Sequence, residues 1–235
     1  MKKLILIAAT SATILSSAVS FADGMDNEWY LRVDAGAAML NKQKDKVTGV
    51  KLNTNTAFSG DVGIGYYIAE NFRADLTLGT IVGGKLKKTG TFTSGQFVGT
   101  TGSVSHKPTI NRLLVTGYVD LSNFEMFDVF AGAGIGATLL KDKDTYTGAA
   151  FYNGNQVDLG TISTKTKNRT NLAYKFTLGA STQITDGVKA ELAYAWIDDG
   201  KSKSKSRTTS QGITVRTGGM RYQSHNLTAG LRFDI

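Results

Sequence analysis

The stretch Leu172-Ala173-Tyr174-Lys175-Phe176-Thr177-Leu178-Gly179-Ala180-Ser181-Thr182-Gln183-Ile184 decides the fold. Leu172, Tyr174, Phe176, Leu178, Ala180 and Ile184 form an apolar set at every second position, interrupted only by Thr182. The alternate set, Ala173, Lys175, Thr177, Gly179, Ser181 and Gln183, is small or polar. Successive side chains of a strand point to opposite faces, so this period gives one apolar and one polar face. On a helix the apolar residues would scatter around the axis and bury nothing.

Seven further segments follow the same rule, near 29–39, 58–68, 72–82, 111–121, 127–139, 188–196 and 227–235. Short connections fall near 69–71, 122–126 and 185–187, and Asp186-Gly187 is a strong hairpin turn signal. Long connections span about 41–55, 84–107, 141–169 and 198–221, and are rich in Gly, Ser, Thr, Lys and Asn. Eight strands with short turns at one end and long loops at the other predict an all-β, eight-stranded antiparallel transmembrane β-barrel, an up-and-down meander.

At the N-terminus, Lys2 and Lys3 precede an apolar run from Leu4 to about Val19, followed by Ser20-Phe21-Ala22. A basic start, a short apolar run and a small-x-small end predict a cleaved export signal over 1–22. The barrel then occupies 23–235. No later segment has eighteen consecutive apolar residues, so a membrane crossing by helix is excluded after the leader. One Pro against 27 Gly argues against a disordered linker protein. The absence of Cys removes disulfide and thiol chemistry.

A soluble β-sandwich also alternates. Three features point to lipid instead. The apolar faces end in aromatics, Trp29, Phe72, Phe127 and Phe233 towards the short turns and Phe58 and Trp196 towards the long loops, as interfacial girdles require. The polar faces carry charge of both signs deep in the strands: Arg32, Asp34, Arg73, Asp75, Arg112, Asp120, Lys189, Glu191, Arg232 and Asp234. An eight-stranded barrel has room for side chains but little else, so these charges are expected to pair inside it. The chain also ends on a strand, which must close the ring, because an open edge in lipid leaves backbone groups unpaired.

Charge divides by region. The four long connections hold 19 Lys+Arg and 6 Asp+Glu, whereas the rest of the mature chain is acidic. A basic crown attracts anionic partners through a salt-sensitive field. Acidic protein patches, sulfated glycans and lipopolysaccharide phosphates qualify; nucleic acid is not expected for an exported barrel. The sharpest clusters, Lys85-Leu86-Lys87-Lys88 and Lys201-Ser202-Lys203-Ser204-Lys205-Ser206-Arg207, are candidate partner-binding sites; the bland alternative is solvated loop tips.

No catalytic, cofactor or metal site is expected. Ala131-Gly132-Ala133-Gly134-Ile135-Gly136 lacks the strand-turn-helix setting of a nucleotide loop. His106 and His225, beside Ser105 and Ser224, have no acid spaced for a triad. Asp142 and Asp144 read as a lone acidic pair among lysines, a poor calcium loop.

With the loops in place, the leader 1–22, Trp29-Tyr30-Leu31-Arg32-Val33-Asp34-Ala35-Gly36-Ala37-Ala38, Asn71-Phe72-Arg73-Ala74-Asp75-Leu76-Thr77-Leu78-Gly79-Thr80 and Gly218-Gly219-Met220-Arg221-Tyr222-Gln223-Ser224-His225-Asn226-Leu227 resemble the rickettsial surface adhesins of the Adr family. The likeness covers essentially the whole chain. It implies an outer-membrane, cell-surface location and adhesion to host epithelial surface proteins, with vitronectin as a partner type. The alternatives are a purely structural barrel, a small-solute channel, and a hydrolase using His106 or His225.

Overall fold

The computed structural model describes residues 28–45, 48–92, 98–123, 126–152, 155–165, 168–203, 205–208, 214–217 and 219–235. The expected leader lies outside the described residues. Among the described residues thirteen strands appear in chain order. They are β1 (Trp29–Leu40), β2 (Asn53–Thr54), β3 (Thr56–Ala69), β4 (Phe72–Val82), β5 (Leu86–Thr91), β6 (Thr101–Asn123) and β7 (Asp128–Tyr152). β8 (Asn155–Lys165), β9 (Arg169–Thr185), β10 (Val188–Lys201), β11 (Lys205–Thr208), β12 (Thr214–Thr217) and β13 (Arg221–Asp234) complete the chain.

Eight of these close a ring, in the order β1-β3-β4-β6-β7-β9-β10-β13, every pair antiparallel. Closure is made by β13 against β1, with Leu31 opposite Phe233 and Ala37 opposite Leu227. The tight turn Asp186-Gly187 joins β9 to β10; Gly187 takes φ +70°, the left-handed conformation that this hairpin needs and glycine adopts freely.

Two zones stack along the barrel axis, and the side-chain pattern inverts between them. In the lower zone the outward set is apolar and exposed: Val62, Leu78, Val115, Ile135, Phe176, Leu178, Leu192 and Leu227 among others. That wall faces lipid, where every backbone polar group is satisfied by the closed ring. Above it the apolar side chains point inward. Leu40, Leu52, Ile81, Leu86, Phe92, Val104, Ile110, Leu140, Met220 and Tyr222 form one buried cluster. The outward residues at the same height are polar; on β7 they are Lys141, Lys143 and Thr147.

This inversion corrects the expected boundaries. Residues 84–107 and 141–169 are mainly strand rather than loop: β6 begins at Thr101, β7 runs to Tyr152, and β5 and β8 flank them. Among the described residues of 41–55 only Asn53–Thr54 pair as a strand, and 198–221 holds the end of β10 and the β11–β12 hairpin. The alternation continues through these segments, but with its phase reversed, because water replaces lipid outside and an apolar core replaces the charged lumen inside. A search for apolar-out alternation therefore stops at the lipid edge.

Candidate functional site

The lumen of the lower zone is filled by charge and rings. Arg32 on β1 donates from Nε to Asp34 at 2.9 Å and from Nη1 to Asp75 on β4 at 2.8 Å. Arg32 Nη1 also reaches the Tyr118 hydroxyl at 2.8 Å. Glu191 on β10 is a hub, with Arg232 at 2.9 Å, Arg32 at 3.3 Å and Arg73 at 3.5 Å. The contacts of Arg73 and Arg232 to Glu191 are charge contacts without hydrogen-bond alignment, since their closest nitrogens and both Glu191 oxygens have no aligned partner. Arg73 instead lies over Tyr118 and Phe130, 4.3 and 4.7 Å from the ring centroids, a cation–π sandwich at the barrel centre.

Of the ten lumen charges expected from sequence, Arg32, Asp34, Arg73, Asp75, Asp120, Glu191 and Arg232 meet in this network. Asp234 sits apart and accepts a hydrogen bond from Tyr67 at 2.7 Å. Lys189 is half-buried on the same inward face. Arg112 pairs with Asp199, from Nε at 2.6 Å and from Nη2 at 2.8 Å. Asp199 belongs to β10, which neighbours β9 and β13, so this pair ties opposite walls across the lumen. Sequence reading placed Asp199 in a loop and missed it; its signal is the inward phase shared with Glu191, eight residues earlier.

Above the lipid belt the fold builds a second polar cluster inside the apolar cap. His106 on β6 is opposite Asp144 on β7 in the ladder, and its Nδ1 lies 2.7 Å from Asp144 Oδ1. Nδ1 is also 3.9 Å from Asp142 Oδ2, and Nε2 is 3.2 Å from Asp45 Oδ1. Asp45 is fixed by the Thr48 amide at 2.7 Å, the Thr48 hydroxyl at 2.6 Å and the Tyr146 hydroxyl at 3.2 Å. The Tyr222 hydroxyl donates a short bond to Asp142. His106, Asp45, Asp142 and Asp144 are all buried.

Burial alone would depress the His106 pKa, but hydrogen bonds to Asp144 and Asp45 and the charges of Asp144 and Asp142 outweigh it and push the imidazole up to about 10. Burial and the neighbouring Asp144 charge raise Asp142 to about 7 despite His106 and Tyr222. For Asp45, burial is overcome by bonds from His106 and Thr48, and its pKa falls.

The expected isolated acidic pair is thus half of a four-residue cluster. The strand phase also separates each Ser–His pair. Ser105 and His106 are adjacent on β6, and Ser224 and His225 on β13, so in each pair the side chains project to opposite faces. His225 lies on the outer wall, where its Nδ1 is 2.5 Å from the Tyr194 hydroxyl.

The basic residues fall into separate groups. Lys85 precedes β5, and Lys87 and Lys88 are exposed on it. Lys201 and Lys203 are exposed at the end of β10, on the far side of β6, β7 and β9 from β5. Lys205 lies in β11 with Arg207; their side chains fall outside the described residues. The ladder adds a row that sequence reading did not find: Lys107 on β6 is opposite Lys143 on β7, and Lys143 is opposite Lys165 on β8. All three are exposed on the outward face, with Lys141 one step nearer the membrane. Directly opposed like charges destabilise a sheet. They are far apart in sequence, and only the register brings them together.

No protein-family model matches the chain. A "Putative adhesin" of Rickettsia felis is 68% identical over 235 residues, covering 100% of both chains. A Rickettsia massiliae protein of the same name is 66% identical with the same coverage. Among solved structures, Neisserial surface protein A superposes with a TM-score of 0.52 at 14% identity, covering 91% of this chain and 100% of that one. The last likeness is one of fold alone.

Proposed function

The chain belongs to the rickettsial adhesin family of eight-stranded outer-membrane barrels, and from that premise we propose that it works by binding rather than turnover. The barrel is the anchor. The ordered basic extension grips acidic patches on host-cell surface or matrix proteins, with vitronectin the partner type that the family resemblance suggests. The observation that carries this reading is the exposed row Lys107, Lys143 and Lys165, flanked by Lys141 and by Lys87 and Lys88. Repulsion across a ladder weakens folding, and an anionic partner relieves it. The wall below faces lipid and the lumen is filled by Arg73, Tyr118 and Phe130, which leaves the crown as the surface free to engage a partner. The family name supports adhesion in general; the basic face and the partner type are the proposal.

The test is host-protein capture by cells displaying the intact barrel and a Lys107→Glu/Lys143→Glu/Lys165→Glu variant, with Lys201→Ala/Lys203→Ala beside it. Binding to immobilised vitronectin and to epithelial surface extracts should drop at least tenfold for the triple variant. It should also weaken steeply with added salt. Equal capture by the triple variant at matched surface display would refute the basic-face reading.

A further inference from the structure

We propose that His106, Asp142 and Asp144 form a binding site for a divalent transition-metal ion, zinc by ligand chemistry, inside the apolar cap above the membrane. One ligand atom from each of the three lies within 4.8 Å of the others, and all three residues are buried.

Three observations distinguish the cluster from an ordinary buried salt bridge. The first is the support behind the imidazole and Asp142. Asp45 stands at the far side of the imidazole, 3.2 Å from Nε2, and is itself held by Thr48 and Tyr146. A carboxylate that accepts a hydrogen bond from the N–H of one ring nitrogen leaves the other free to be a ligand, and here the other, Nδ1, faces Asp142 and Asp144. The Tyr222 hydroxyl supports Asp142 in the same way. The second is an unused acceptor. Asp144 is fully buried, and its Oδ2 has no hydrogen-bond partner. Buried polar atoms without partners are uncommon and call for an explanation such as an ion. The third is charge. Three carboxylates surround one imidazole, and among the described residues Asp45 and Asp144 pair with His106 but with no lysine or arginine. Protonated His106 neutralises one carboxylate at most, whereas a divalent ion in place of the Nδ1 proton balances two.

The donor set selects the ion. Calcium and magnesium take six or more oxygens, with several waters for magnesium, in a roomy or hydrated site. One imidazole nitrogen and two carboxylates in a closed apolar cap suit zinc, which accepts three protein ligands and one further oxygen. Its structural effect would be to clamp the β6–β7 extension to the 41–55 connection through Asp45 and to β13 through Tyr222. The proposal does not depend on what the basic face binds.

The experiment uses the mature barrel folded in detergent, stripped with a chelator, dialysed, and titrated with zinc chloride by calorimetry, with elemental analysis for stoichiometry. One zinc per chain is expected, bound at least tenfold more tightly than calcium. Asp144→Asn should weaken binding about 100-fold or more, and Asp45→Asn, which removes no ligand, about 10–100-fold. Cobalt loading should give a visible absorption band that Asp144→Asn abolishes. The heat-modifiable gel shift verifies that each variant is folded. Failure of the wild-type barrel to retain zinc, equal affinity in Asp144→Asn, or calcium binding as tight as zinc would each overturn the proposal. Wild-type titration alone is decisive should a variant not fold.

Discussion

Asp199→Asn should be among the most damaging isosteric substitutions in the barrel. The change alters no volume, so the cost is electrostatic. Arg112 is buried and gives Asp199 two aligned bonds, at 2.6 and 2.8 Å, while the Thr138 hydroxyl donates a third to Asp199 at 3.0 Å. Asparagine keeps one acceptor but turns its amide donor towards Arg112 Nη2. The guanidinium then remains buried without the counter-charge it is bonded to, which costs about 3–5 kcal/mol. A whole domain is stable by roughly 5–15 kcal/mol, so one substitution removes about a fifth or more of the total. Arg112→Met should cost less, because Asp199 keeps its Thr138 bond. The paired variant Arg112→Met/Asp199→Leu removes both charges and should lie within about 1–2 kcal/mol of the parent, since a buried pair replaced by apolar side chains is close to neutral. The assay is reversible urea unfolding in lipid vesicles, followed by the fluorescence of Trp29 and Trp196 with band shift as a second probe. A loss below about 1 kcal/mol for Asp199→Asn, or additive losses in the paired variant, would show that the cross-lumen pair does not hold the walls together.

Gly65→Ala should destabilise the barrel by about 1–3 kcal/mol or prevent folding, because an added Cβ would lie 2.1 Å from the Tyr30 ring, itself buried against Tyr67; the same urea titration checks it. Leu140→Ala, in the cap core, should cost about 2–5 kcal/mol locally. Limited proteolysis should then cut within 141–169 while the heat-modifiable band persists, and a loss of that band would contradict the separation of cap from barrel. In metal-free protein the cap should be stabler in mild acid than in alkali. The folded pKa of His106, about 10, exceeds its unfolded value, so its contribution is complete below about 6.5 and lost as pH rises through 10. Asp142 acts in the same direction, because its raised pKa of about 7 favours the protonated folded form and stability falls as pH rises from about 4 through 7. Protease protection of the cap at pH 5.5 and pH 9 measures this, and greater protection at pH 9 would reverse the assignment.

The fold was legible wherever one physical rule held along a whole segment. In the 172–184 stretch, apolar residues at every second position can be buried only in lipid or against a second sheet, and the Arg32, Arg73 and Glu191 set on the opposite faces chose between the two. The strands ended too early on paper because the rule changes at the water boundary. Lys141, Lys143 and Thr145 look like loop, yet Leu140, Asp142, Asp144 and Tyr146 continue the alternation on the other face. The solvent, not the strand, inverts the pattern.

Long-range register is a different kind of information, and it accounts for most of what the sequence concealed. His106 is 38 residues from Asp144 and 61 from Asp45, so no spacing rule marks them as one cluster. Their neighbours give a partial clue: His106 falls in the inward series with Val104, Pro108 and Ile110, and a histidine among buried apolar residues needs a partner. The same register sets the basic row. Lys107 and Lys143 are opposed because His106 and Asp144 are opposed one residue away, so the inward cluster and the outward charge are consequences of a single alignment of β6 with β7. A slip of one residue would bury the lysines and expose the carboxylates. The attraction of His106 for Asp144 on the inner face therefore opposes the repulsion of Lys107 and Lys143 on the outer one. That gives a reason for a charged cluster in an otherwise apolar cap: it holds a register that the basic face alone would drive apart.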